Sequence, residues 1–104
     1  MTYVVELSPT AVDDLERLFD FLLDRAETSE DLDRAQAAID MVWATTQQQL
    51  AITPYSFRKA AHNPLQRELI IPFGNTGYVA LYEIVSPDKV VVLAVRHQRE
   101  EDFH

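Results

Sequence analysis

Cysteine is absent from the chain. That excludes disulfides, thiolate nucleophiles and cysteine-ligated metals, and it suits a reducing compartment, so a cytoplasmic protein is expected. Long apolar runs are also missing: none approaches the roughly 18 residues that cross a bilayer. The opening MTYVVELSP lacks the basic stretch and apolar run of a secretory leader, and no membrane partner is expected. Positive charge is scarce, with nine Lys and Arg against seventeen Asp and Glu and a net charge of -8. A surface of that sign does not adhere non-specifically to nucleic acid or anionic lipid, although a local basic patch is compatible with it. The two glycines, Gly74 and Gly77, stand in GNTG between β-type runs, which is the setting of a hairpin turn and not of a phosphate loop. The three histidines lack i, i+4 partners and the helical carboxylates follow ordinary amphipathic spacing, so neither a metal nor a cofactor is expected.

What is present suffices for a core. Hydrophobic residues make up 47% of 104 positions, and residues 1–104 are expected to form one domain. Three apolar runs dominate the C-terminal third: LIIPF ended by GNTG, Tyr78 to Val85 ended by Ser86-Pro87-Asp88-Lys89, and Val90 to Val95. The gaps are too short for helical crossovers, so these runs predict an antiparallel meander, with the last and most apolar strand central. Upstream, Tyr3 to Leu7 is a short β-type run and Ser8-Pro9 is a helix start. A first helix is expected from about Pro9 to Ala26, burying Val12, Leu15, Leu18, Phe19, Leu22 and Ala26. Asp13, Asp14, Glu16, Arg17, Asp20 and Asp24 fall on its wet side. Thr28 and Ser29 offer a second cap. A second helix from about Glu30 to Leu50 follows, with Leu32, Ala35, Ile39, Val42, Trp43, Thr46 and Leu50 inward and Pro54 beyond its end. A brief edge strand around Phe57 to Ala60 completes an α+β, two-layer β-α-α-(β)-β-β-β order. A helical hairpin then covers one face of a twisted antiparallel sheet, and the other face is left open as a binding surface.

The candidates for chemistry are the basic residues Arg58, Lys59, Arg67, Arg96, His97 and Arg99. Strict alternation puts Arg96 on a face with Val92 and Ala94, His97 with Val91, Leu93 and Val95, and Arg67 with Leu69 and Ile71. With Tyr78 or Tyr82 nearby, such guanidinium groups could bind phosphate and stack a base. With a proton acceptor they could cleave RNA through the ribose 2′-OH. Two flanking arginines favour a neutral His97, which suits a base. The plainer reading is a set of solvated strand ends paired with Glu68, Glu83, Glu100 and Glu101. Ser8 and Ser29 are better helix caps than nucleophiles. His62 lies in a loop, His104 ends the chain, and Phe103 is an aromatic in an acidic tail that could dock a partner.

The ordered set YVVELSPTAVDDLERLFDFLLDRA, LAITPYSFRKA, the Arg-Glu-Leu strand, Tyr-x-x-x-Tyr-Glu-Ile and VVVLAVRHQRE resembles the RelE/ParE superfamily of type II toxin–antitoxin toxins. It is nearest the ParE-like, plasmid-stabilisation branch. The resemblance implies a RelE-like fold with the first strand beside the last, and a cognate antitoxin that neutralises the toxin. It implies one of two targets. ParE-like toxins poison DNA gyrase, whereas RelE-like toxins cleave mRNA on the ribosome with a cluster on the open sheet face. RelE-type nucleases are strongly basic and this chain is acidic, which favours gyrase. In the gyrase reading Arg58, Lys59, Arg67, Arg96, Arg99 and Tyr82 bind the target. In the nuclease reading His97, Arg96 and Arg67 are catalytic. Leu15, Phe19, Leu22 and Phe103 are the expected antitoxin contacts. A third reading is an inactive domain that binds its antitoxin for autoregulation.

Overall fold

A computed structural model of the chain describes residues 2–100 and 103. The element order is β1 (Val4–Leu7), α1 (Pro9–Arg25), α2 (Ser29–Ile52), β2 (Arg58–Lys59), β3 (Gln66–Phe73), β4 (Thr76–Ser86) and β5 (Lys89–His97). One five-stranded sheet runs β1-β5-β4-β3-β2. Strands joined by tight turns are antiparallel, as expected for β2 through β5. β1 departs from the antiparallel expectation and lies parallel to β5. No turn joins β1 to β5, so nothing forces the direction, and two helices intervene before the sheet resumes. The helical hairpin covers one face, and the core lies between the layers: Leu18, Val42 and Leu50 from the helices against Leu69, Ile71, Tyr78, Tyr82, Val90 and Val92.

The local causes are those of the sequence. Ser8 caps α1 by accepting from the Ala11 N–H, with Pro9 in the first turn. Thr28 and Asp31 form a reciprocal capping box at α2, so only Ala26, Glu27 and Thr28 separate the helices. Gly74 has φ 61°, which the two-residue β3–β4 loop requires of its first residue. A Cβ at Gly77 would stand 2.6 Å from the Ile71 carbonyl oxygen, so only glycine lets the strands approach there.

The helical stripes are rotated from their expected positions. In α1 the fully buried residues are Ala11, Asp14 and Leu18, while Val12 is exposed. In α2 they are Ala35, Ala38, Val42, Thr46 and Leu50, with Leu32 exposed and Trp43 only half-buried. Asp14, assigned to the wet side by periodicity, is 4% exposed. Its Oδ2 accepts from the Val95 N–H at 2.9 Å. β1 ends opposite Val92, so the β5 edge beyond it has no strand to pair with. Side chains satisfy it instead: Ser8 Oγ donates to the Leu93 carbonyl, Asp14 accepts from Val95, Arg17 donates to the Val95 carbonyl, and Glu100 accepts from the His97 N–H.

At the same point β5 bulges. Leu81 pairs with Ala94 and Tyr82 with Val92, so two residues of β5, Leu93 and Ala94, are taken up where β4 advances by one. Everything after the bulge changes face relative to simple alternation. The expectation for Glu101, Asp102 and His104 lies outside the described residues.

Asp14→Ala leaves a buried N–H without a partner and should cost about 2 kcal/mol of stability, with Asp14→Asn recovering most of it. Chemical denaturation of the two variants measures both.

Candidate functional site

The bulge decides where the cationic residues go. Arg96 pairs opposite Val79 and shares the open face with Ala94, Leu81 and Glu68. His97 pairs opposite Tyr78 and lies with Val95 and Val92 on the face beneath the helices. Strict alternation put Val92 with Arg96; the bulge moves it to the face of His97, while the Arg96–Ala94 and His97–Val95 groupings are kept. Arg67 and Tyr82, which are paired in the β3–β4 register, also lie on the helix side.

Each of these groups is already engaged. The Tyr82 hydroxyl donates to the Pro54 carbonyl at 2.5 Å and the ring is fully buried. Burial pushes its phenol up to about 12, with the Arg67 guanidinium pulling the other way. Arg67 Nη1 donates to the carbonyls of Phe57 and Tyr55, and its guanidinium lies 5.6 Å from the Tyr55 ring centre. These two residues therefore anchor the β2 region to the sheet and do not form a phosphate cleft. On the open face, Arg58 is bound to Glu68 at 2.9 Å. Lys59 is exposed on the edge strand. Arg96 Nη1 donates to the carbonyls of His97, Gln98 and Glu100, and the guanidinium lies 5.0 Å from the Phe103 ring centre. Arg96 thus gathers the C-terminal turn, and Phe103 lies over the open face beside it. The concave guanidinium patch expected there is not formed.

His97 has a defined tautomer. The Arg99 backbone N–H can only donate, so Nδ1 accepts it at 3.1 Å and the proton resides on Nε2, which donates to Thr76 Oγ1 at 2.9 Å. The ring stands edge-on to Tyr78. Burial first, and then the Arg99 charge, hold its pKa below the ordinary value, with Glu100 opposing. Burial, more than the flanking arginines, disfavours the charged ring, and both nitrogens are occupied.

Of the α1 residues assigned to antitoxin contact, Leu15 packs on the core, Phe19 is half-buried and Leu22 lines a cavity. Phe21 is the exposed aromatic, at 51%. That cavity, of about 780 Å³, opens between the helical hairpin and the far ends of β3 to β5. Arg17, Phe21 and Arg25 reach it from α1 and Arg34 from α2, joining His97 and Arg99. Residues 17, 21 and 25 follow i, i+4, i+8 spacing. The stripe is legible in the sequence as Arg17, Phe21 and Arg25 one helical turn apart, a signal of α1 and not of the strands.

Comparison with known proteins places this fold. Residues 5–102 match the family described as ParE toxin of type II toxin-antitoxin system, parDE. The chain belongs to the ParE toxin family. This ParE-family toxin is 36% identical over 96 residues to Toxin RelE3 of Caulobacter vibrioides, covering 92% of the chain and 95% of that protein. Its fold is also that of a chain from the chromosomal ParDE toxin–antitoxin system of P. aeruginosa. The TM-score is 0.71 over 96% of this chain and 98% of that one, at 14% identity. The expected α+β architecture and the toxin assignment both stand.

The depressed His97 pKa makes the toxin's stability depend on pH with a definite sign. An unfolded histidine titrates near about 6.5. The folded ring resists the proton, so its contribution is complete above that value and is lost as pH falls toward the lower folded pKa. The stability difference between wild type and His97→Gln, read from urea midpoints, should shrink between pH 7.5 and pH 5.

Proposed function

We propose that this ParE-family toxin arrests growth by gripping a protein target, DNA gyrase, and not by cutting RNA. The observation that carries this reading is the dispersal of the nuclease set. Arg96 lies on one face of the sheet, and His97 and Arg67 on the other. An RNA-cleaving site needs a base, a phosphate-binding cation and an acid within reach of one phosphodiester. Here the His97 nitrogens are both engaged, the Tyr82 phenol is buried against Pro54, and Arg67 is held by backbone carbonyls. The net charge of -8 also weighs against a ribosome-bound polyanion as target.

A cognate antitoxin is the second partner in this reading, as its family and its likeness to a chain of a ParDE system support. The open sheet face gives it an apolar strip: Ile70, Leu81 and Val91 are half-buried and Val85 is exposed. An unstructured antitoxin segment can fold onto such a strip and bury it. Residues 1–104 act here as one toxin domain, in the cytoplasm, where both gyrase and antitoxin are found.

Induction of the chain without antitoxin tests the reading. Replication arrest with DNA-damage signalling, intact mRNA, and blocked supercoiling by purified gyrase are expected, and His97→Ala should keep the arrest if the fold is retained. Ribosome-dependent mRNA cleavage that disappears in His97→Ala would establish the nuclease instead. Unchanged growth would leave only antitoxin binding.

A further inference from the structure

The cavity between the helical hairpin and the sheet takes in Leu22 and Arg99 from the expected partner contacts but none of Arg58, Lys59, Arg67, Tyr82 or Arg96. Its floor is apolar. Leu18 and Leu22 come from α1, Ala35 and Ala38 from α2, and Phe73 and Tyr78 from the β3–β4 hairpin. The two alanines leave the space that larger side chains at those positions would fill. Its rim is cationic. Arg17, Arg25, Arg34 and Arg99 line it against two carboxylates, Asp31 and Glu100.

Those carboxylates are committed elsewhere. Asp31 Oδ2 accepts from the Glu27 and Thr28 N–H groups as the α2 cap. Glu100 Oε1 binds Arg17 and the His97 N–H. Among the described residues Arg25, Arg34 and Arg99 form no ion pair, although Arg34 lies near enough to Asp31 to be felt. Arg25 instead rests over the Phe21 ring, 4.4 Å from its centre, at the cavity mouth. Arg25, Arg34 and Arg99 are exposed, and among the described residues none has a carboxylate partner, so three guanidinium groups stand open to an anion around one apolar hollow.

We infer that this cavity binds a small amphipathic organic anion, taken up as a free molecule, with its acyl or aryl body on the apolar floor and its acidic head at the Arg25, Arg34 and Arg99 rim. The volume of about 780 Å³ is ample for one such molecule, held in a half-open groove with its head toward solvent. Guanidinium forks bind carboxylate, sulfonate or phosphate oxygens in pairs. Thr76 adds a donor. Its oxygen accepts from His97 Nε2, which leaves the hydroxyl proton to point at a ligand oxygen.

The test is a fluorescence titration of the full chain with 8-anilinonaphthalene-1-sulfonate, an aryl sulfonate, followed by displacement with decanoate and with its neutral counterpart, decanol. One saturable site per chain is expected, displaced by decanoate and not by decanol. The triple variant Arg25→Gln, Arg34→Gln, Arg99→Gln should weaken dye binding about tenfold or more while keeping the wild-type circular dichroism. Ile52→Ser, at an exposed position outside the cavity lining, should leave the affinity unchanged. Unaltered affinity in the triple variant, equal displacement by decanol, or loss of binding in Ile52→Ser would overturn the inference. So would displacement by an acidic peptide but not by decanoate, which would make the cavity a protein-docking surface.

Discussion

Beyond Val92 the fifth strand has no neighbour on its outer side, and its backbone groups must still be satisfied away from bulk water. Much of the molecule answers to that requirement. Ser8, which already caps α1, also donates to Leu93, so one residue fixes both the start of the helix and the strand it leaves. Asp14 and Arg17 take the N–H and carbonyl of Val95, which sets the face that α1 turns inward. Glu100 takes the His97 N–H, which folds the C-terminal turn against the same edge. The buried carboxylate is costly on its own, and it is tolerated because it stands where a strand's hydrogen-bond partner would otherwise be.

The architecture could be read from the chain because its signals are local. The apolar runs, the GNTG and Ser-Pro-Asp-Lys turns, the Ser8-Pro9 start and the Thr28 cap all act within a few residues, and each fell where the pattern put it. What could not be read depends on partners distant in sequence. Asp14 looks like any solvent-facing acid until β5 is seen to lack a neighbour. The parallel direction of β1 follows from no turn and so has no local cue. The bulge at Leu93 leaves no mark in an unbroken apolar run, yet it puts His97, and not Arg96, on the face of Val90 and Val92. The candidate site suffered most for this reason. A one-residue slip inverts every assignment downstream of it, and the cationic residues all lie at strand ends.

Consequently the basic side chains of the sheet serve mainly as ties. Arg67 binds the carbonyls that lead into β2, Arg58 binds Glu68 across the β2–β3 pair, and Arg96 binds the carbonyls of the turn after β5. Arginine suits this work because its planar fork can hold several oxygens at once, which a lysine ammonium does less well. Arg25, Arg34 and Arg99, which have no carboxylate partner among the described residues, gather instead around the cavity where α1 and α2 meet the hairpin tip of the sheet.

The pairing of β1 with β5 has a further consequence during synthesis. β1 is made before both helices and the other four strands, and β5, which it joins, is the last of those strands to follow. Until then β1 has no neighbour, and α1 lacks the strand that its Asp14 and Arg17 bind. A chain wired in this way cannot acquire its fold piecemeal from the N-terminus. Closing the sheet therefore waits on a contact between segments distant in sequence, the kind of contact that slows folding.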